Sequence, residues 1–131
     1  MEKMEKWKAT HSPSNRETGL SGEDEAARYL ESRHFHILKR NWRFHHLEVD
    51  IIAEDDEFLL FCEVKTRNDM RYGNPENFVD RSKQKRLIAA ADCFMRHYGI
   101  RKEARFDILS VTPVPEGWQV RHLPAAFSPR W

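Results

Sequence analysis

A chain of 131 residues, 40% hydrophobic and 33% charged, fits a single soluble domain with one modest core and argues against a second domain. Met1–Lys8 is charged and lacks an apolar stretch, and no run is long enough to cross a bilayer, so neither a secretory signal nor a membrane span is expected and the predicted location is cytoplasmic. The net charge of +1 conceals a division, since residues 34–64 hold three Lys/Arg against seven Asp/Glu (−4) and residues 65–131 hold thirteen against seven (+6).

Residues 1–17 are polar, contain Ser12-Pro13-Ser14-Asn15, and read as a flexible arm. A first helix is expected from a capping box at Ser21 and Asp24, through Ala26, Ala27, Tyr29 and Leu30, to about Arg33. Three extended segments follow at His34–Trp42, Leu47–Ala53 and Phe58–Thr66, and Asp55-Asp56-Glu57 joins the last two as an antiparallel hairpin. Leu87, Ala90, Ala91, Phe94 and Tyr98 lie on one stripe of a second helix over about Arg81–Tyr98, which Gly99 stops. A strand at Arg105–Val111 and a short one at about Trp118–Leu123 precede a tail over 124–131. The order α-β-β-β-α-β predicts an α/β fold in which helices flank a central mixed sheet.

Alternation along the second strand puts Glu48, Asp50 and Ile52 on one face and Val49, Ile51 and Ala53 on the other, so Asp50 sits among apolar neighbours. Phe58-Leu59-Leu60-Phe61-Cys62 is apolar on both faces, as in a central strand, and runs directly into Glu63-Val64-Lys65-Thr66-Arg67. Two carboxylates on adjacent half-buried strands need compensation, because a buried unpartnered charge costs several kcal/mol or is forced to protonate. A hard divalent cation such as Mg²⁺ would supply it, with Lys65 placed beside Glu63 to orient a water or steady phosphate charge. The bland alternative is a strand-edge ion pair between Glu63 and Lys65, with Asp50 capping a turn.

Glu23 lies on the apolar stripe near the start of the first helix. It points at the same site or merely favours the helix N-terminus. Lys83, Lys85 and Arg86 at the start of the second helix, with Arg67 and Arg43, are candidate phosphate contacts, and an exposed basic first turn explains the helical ones equally well. His34, His36, His45 and His46 cluster in sequence without cysteine or a second ligand pair, which argues against structural zinc. Trp42 and Phe44, near Lys39, Arg40 and Arg43, suit packing at a strand end or stacking on unpaired bases. Cys62 and Cys93 are expected as reduced core residues.

The segments Gly22-Glu23-Asp24-Glu25-Ala26-Ala27, Asn41-Trp42-Arg43, Glu48-Val49-Asp50-Ile51-Ile52-Ala53, Phe61-Cys62-Glu63-Val64-Lys65-Thr66-Arg67 and Arg105-Phe106-Asp107, in this order, resemble the YraN-like family over about residues 18–112. That family groups predicted nucleases of the PD-(D/E)XK superfamily, related in fold to archaeal Holliday junction resolvases. The resemblance implies a restriction-endonuclease-like, nuclease-like domain over 18–123. It makes Asp50 and Glu63 metal ligands for Mg²⁺ or Mn²⁺, Lys65 the catalytic lysine, and Glu23 the helical glutamate that completes the metal site as an auxiliary acid. Gly73, Pro75, Val79 and Lys83 also match family positions, whereas Leu47 stands where the family has glycine. The expected activity is hydrolysis of DNA phosphodiesters, DNA ahead of RNA, selective for branched or single-stranded forms. The alternative is a nucleic-acid-binding module of the same fold that does not cleave. A homodimer is expected if the substrate is a symmetric four-way junction.

Overall fold

The computed structural model describes residues 21–67 and 79–129, so the arm over 1–17, and Gly73 and Pro75, lie outside the described residues. Helix α1 spans Ser21–Ser32 and buries Ala26, Ala27 and Leu30, the stripe its spacing predicts. Ser21, expected as the cap, is already helical. The helix ends when His34 turns left-handed (φ 73°) and the Phe35 N–H donates to Leu30 O at 3.0 Å. This stop consumes His34 and Phe35, so β1 runs His36–Phe44, two residues later than the sequence predicts.

At its far end β1 turns through His45 and His46 into β2, Leu47–Glu54. His45 takes φ 56° there, a conformation usually left to Gly or Asn, which is why the hairpin is hard to read from residue types. Strand β3, Phe58–Thr66, pairs antiparallel with β2. Helix α2, Arg81–Tyr98, then crosses over to β4, Glu103–Val114, which pairs parallel with β3. Strand β5, Gly117–Phe127, completes a five-stranded mixed sheet in the order β1-β2-β3-β4-β5. Both β4 and β5 outrun their predicted lengths. Pro113 and Pro124 read as breakers, but Pro124 lies on an edge strand, where a missing N–H is tolerated.

The sheet separates two apolar layers. Leu87, Ala90, Ala91 and Phe94 of α2 pack on Val49, Ile52, Leu59, Phe61, Phe106 and Ile108, whereas α1 packs on Ile51, Ala53, Leu60, Cys62, Leu109 and Val111. Residues 59–63 of β3 are all buried, as expected of the central strand. Both cysteines are free thiols, and Cys62 is fully buried. Among the described residues no helix is long and apolar enough to cross a membrane.

Candidate metal and phosphate site

The functional side chains gather where β2 leaves β3. The β2–β3 ladder covers Ile51–Glu54 against Leu59–Cys62. One residue earlier the Asp50 carboxylate takes over from the main chain, its Oδ2 accepting the Val64 N–H at 2.8 Å. Strict alternation also breaks here, because Val49 and Ile52 join the α2 layer while Ile51 joins the α1 layer. The predicted grouping of Val49 with Ile51 therefore fails at Asp50, where a side-chain acceptor replaces a regular pleat.

Glu63 is 4% exposed, on the central strand. Its Oε2 meets the Lys83 ammonium at 3.0 Å and the Lys65 ammonium at 3.4 Å. Lys83 reaches it from the first turn of α2, which Asp80 caps by accepting the Lys83 N–H at 2.8 Å. Burial, followed by the neighbouring charge of Glu63, pushes the Asp50 carboxyl up to about 6, although the Val64 hydrogen bond and Lys83 pull the other way. Glu23 also raises it, which places that acid within electrostatic reach of Asp50.

Glu23 is itself held by β1. Its Oε1 accepts from Arg40 Nη2 at 2.8 Å and from Asn41 Nδ2 at 3.0 Å, and Arg40 also donates to Asp24 at 2.8 Å. Asn41 adopts φ 53°, within the left-handed region that Asn tolerates better than most residues. The clamp from Arg40 and Asn41 is not foreseen in the sequence reading. The Asn41-Trp42-Arg43 segment marked the place without indicating the partner.

Gly22 sets the distance between α1 and β3. A Cβ built there would run into the Thr66 hydroxyl, so a side chain at this position forces Thr66, exposed at the end of β3, to turn aside. Gly22→Ala is expected to cost about 1–2 kcal/mol through overpacking. In a Thr66→Ala background, where the methyl has room, the cost should vanish, and thermal melts of the single and double variants would expose this coupling. Equal losses in both backgrounds would refute the contact as the cause.

The remaining predicted contacts are more dispersed. Lys85 and Arg86 are exposed on α2, Arg86 donating to Ser82 Oγ at 2.9 Å. Arg67 follows β3, its N–H donating to Val111 O at 2.8 Å. Arg43 pairs with Glu48 at 3.3 Å near the β1–β2 turn. Asp50, Glu63, Lys65 and Lys83 thus form the centre, with Glu23 beside it.

Among the described residues no group of three or more His, Cys, Asp or Glu side chains is gathered for a metal ion. Two neighbouring carboxylates nevertheless suit a hard cation that keeps most of its waters, as Mg²⁺ does. Burial first, and the neighbouring Glu63 second, penalise the ionised Asp50 carboxylate, and such a cation would offset both.

A second polar centre lies on β4. Asp107, 1% exposed, accepts from Arg105 Nε at 3.0 Å and Nη2 at 2.8 Å, from the Ala125 N–H at 3.1 Å, and from His122 Nε2 at 2.7 Å. With Nε2 donating, a neutral His122 accepts the Tyr29 hydroxyl at Nδ1, 3.1 Å away, which ties α1 to β5. The Arg105-Phe106-Asp107 segment carries two members of this centre, whereas nothing in the sequence around His122 marks it as the third.

The sequence profile of the Uncharacterised protein family UPF0102 matches residues 22–111. A UPF0102 protein of Parabacteroides distasonis is 39% identical over 109 residues, covering 83% of this chain and 90% of that protein. Another from Dictyoglomus turgidum is 40% identical over 119 residues, covering 87% and 99%. A third from Symbiobacterium thermophilum is 40% identical over 104 residues, covering 79% and 88%.

Proposed function

Because the chain belongs to the Uncharacterised protein family UPF0102, whose name carries no activity, its function must be argued from the site, and we propose that it is a Mg²⁺- or Mn²⁺-dependent nuclease hydrolysing DNA phosphodiesters. The observation that carries this reading is the meeting of Asp50 and Glu63 on neighbouring strands, in apolar surroundings, with the Lys65 and Lys83 ammoniums on Glu63. We read the β2–β3–α2–β4 arrangement, with its acids where β2 leaves β3, as restriction-endonuclease-like.

Asp50 and Glu63 would hold the cation, with Glu23 as an auxiliary acid. When bound, the cation supplies Lewis-acid charge at the scissile phosphate and a water acidified for attack. The Val64 N–H fixes the Asp50 carboxylate at the end of the ladder, so its orientation is set before any ligand arrives. Lys65, 25% exposed at its side chain, can turn its ammonium from Glu63 to the attacking water or to the developing phosphate charge. Lys83, together with Arg67, Lys85, Arg86 and Arg43, would position phosphates without reading sequence.

A non-cleaving nucleic-acid-binding module is the second reading, favoured by the two ammoniums already balancing Glu63. The deciding experiment offers labelled four-way, flapped, single-stranded and duplex DNA in Mg²⁺, Mn²⁺ or EDTA to the native chain and to folded Asp50→Ala and Lys65→Ala variants. Metal-dependent cleavage that falls at least ~100-fold in each variant is expected. Binding without cleavage in every metal would reject the nuclease and leave the second reading.

A further inference from the structure

The only large apolar side chains strongly exposed among the described residues are Phe44, at 45%, and Tyr98, at 47%. They are the two ends of one continuous row of rings. Phe44 lies parallel to Trp42 with centroids 6.3 Å apart, Trp42 meets Phe94 edge-on at 5.3 Å, and Phe94 meets Tyr98 at 4.7 Å. The inner pair, Trp42 and Phe94, belongs to the packed core, so the row is anchored in the middle and open at both ends. Isolated exposed hydrophobics are ordinary, but these two exposed rings are each seated on the same packed ring ladder, which holds them at the surface.

Nitrogen-bearing side chains edge this row. The Lys39 ammonium lies 5.7 Å from the Tyr98 ring centroid, the His45 ring stands edge-on to Phe44 at 4.3 Å, and the His97 ring stands edge-on to Tyr98 at 4.6 Å. Flat apolar faces bordered by cationic or donor groups suit a ligand with flat aromatic faces and a negatively charged backbone. An apolar protein face would match the rings but offer the Lys39 ammonium no counter-charge, which a phosphate backbone does.

We propose that Phe44 and Tyr98, backed by Trp42 and Phe94, form a stacking platform for unpaired bases of single-stranded nucleic acid, with Lys39 on its phosphates. The Phe44 end of the platform adjoins the acidic site, whereas Tyr98 stands at the opposite end of α2 from Lys83, about 22 Å along the helix. Trp42 pairs across the hairpin with Val49, the residue before Asp50, and Phe44 pairs with Leu47, three residues before it. Three residues of strand are about 10 Å, which is about three rises of ~3.4 Å for a stacked strand. An unpaired strand on the rings therefore leads within a few nucleotides to Asp50, whereas a continuous duplex buries its base faces and gains nothing from them. In this form the inference rests on the proposed nuclease for the meaning of that distance, while base binding itself requires no cleavage.

The test measures binding in EDTA, where a metal-dependent reaction is silent. Fluorescence anisotropy with a labelled oligothymidine and with a duplex of equal length would be recorded for the native chain, Phe44→Ala, Tyr98→Ala and Phe44→Trp. Because Phe44 and Tyr98 are exposed, these variants are expected to fold, which thermal melts would verify. Loss of one stacking contact is worth ~1–3 kcal/mol, so each alanine variant should weaken oligothymidine binding at least ~5-fold. Phe44→Trp should retain binding, and duplex affinity should stay within about two-fold in every variant.

No oligothymidine binding by the native chain, unchanged binding in both alanine variants, or equal losses on duplex would each overturn the platform. So would self-association in sedimentation that depends on Phe44 without single-strand binding, which would assign the surface to a second copy of the chain. Phe44-dependent single-strand binding in EDTA, with no cleavage in any metal, would retain the platform and reject the nuclease.

Discussion

Asp107→Ala is expected to destabilise the fold by about 3–5 kcal/mol, the usual consequence of leaving a buried charged network without its central acceptor. Its carboxylate is fully covered and receives two bonds from Arg105, one from His122 and one from the Ala125 N–H. Truncation would strand these donors together and untie β5 from α1 through His122 and Tyr29. Burial alone would raise the Asp107 carboxyl, but the bonds from His122, Arg105 and Ala125 outweigh it and hold the group below the ordinary aspartate range.

A lowered folded value contributes stability that is present above the unfolded pKa and lost as pH falls through the folded one. The native chain should therefore begin to lose this contribution as pH falls below the ordinary aspartate value of 3.8, and urea unfolding of the variant should show a weaker acid dependence. A loss under about 1 kcal/mol at neutral pH would mean that the network is not what fastens β5.

Asp50→Asn is expected to act in the opposite direction on stability and, under the proposed nuclease function, to abolish cleavage. The Asp50 carboxyl is raised to about 6 by burial first and by Glu63 second, against an ordinary value of 3.8. An acid raised on folding contributes stability below its unfolded pKa and loses it as pH rises through the folded one. At pH 8 the ionised group therefore costs the fold about 3 kcal/mol. Asparagine removes that charge and keeps an oxygen for the Val64 N–H. The variant should gain up to about 3 kcal/mol at pH 8 and almost nothing at pH 4, measured by denaturant unfolding. Mn²⁺ should stabilise the native chain and have far less effect on the variant. A variant less stable than the native chain at pH 8 would show that Asp50 serves the fold more than the site.

The two effects explain what the sequence could disclose. Residues 58–62 announce a central strand because apolar side chains occupy both faces, and α2 is found at Arg81–Tyr98 because its stripe and Gly99 stop agree. Asp50 and Glu63 stand out because charge contradicts that apolar pattern. The start of β1 is obscured because a left-handed His34 ends α1 without a glycine. The Asp107 network is obscured for a different reason. It depends on an irregular β4–β5 register, in which Phe106 pairs with Phe127 but Ile108 with Leu123, leaving Ala125 (φ 51°) folded back towards the carboxylate. Pairings that skip residues leave no period to detect.

That irregularity also shapes how copies of the chain can meet. β1 and β5 form the two borders of the sheet, and an evenly extended border is a template on which a neighbouring molecule can add its own strand and seed aggregates. Here β5 carries Pro124 and the looped-out Ala125, while β1 carries a register shift between Ile37 and Lys39 and the left-handed Asn41. Both borders are crooked, so sheet-to-sheet polymerisation is disfavoured at concentrations where a straight-edged sheet would associate. Irregular borders of this kind favour side-chain surfaces over strand addition for contacts between copies, and mutation can tune such surfaces one residue at a time.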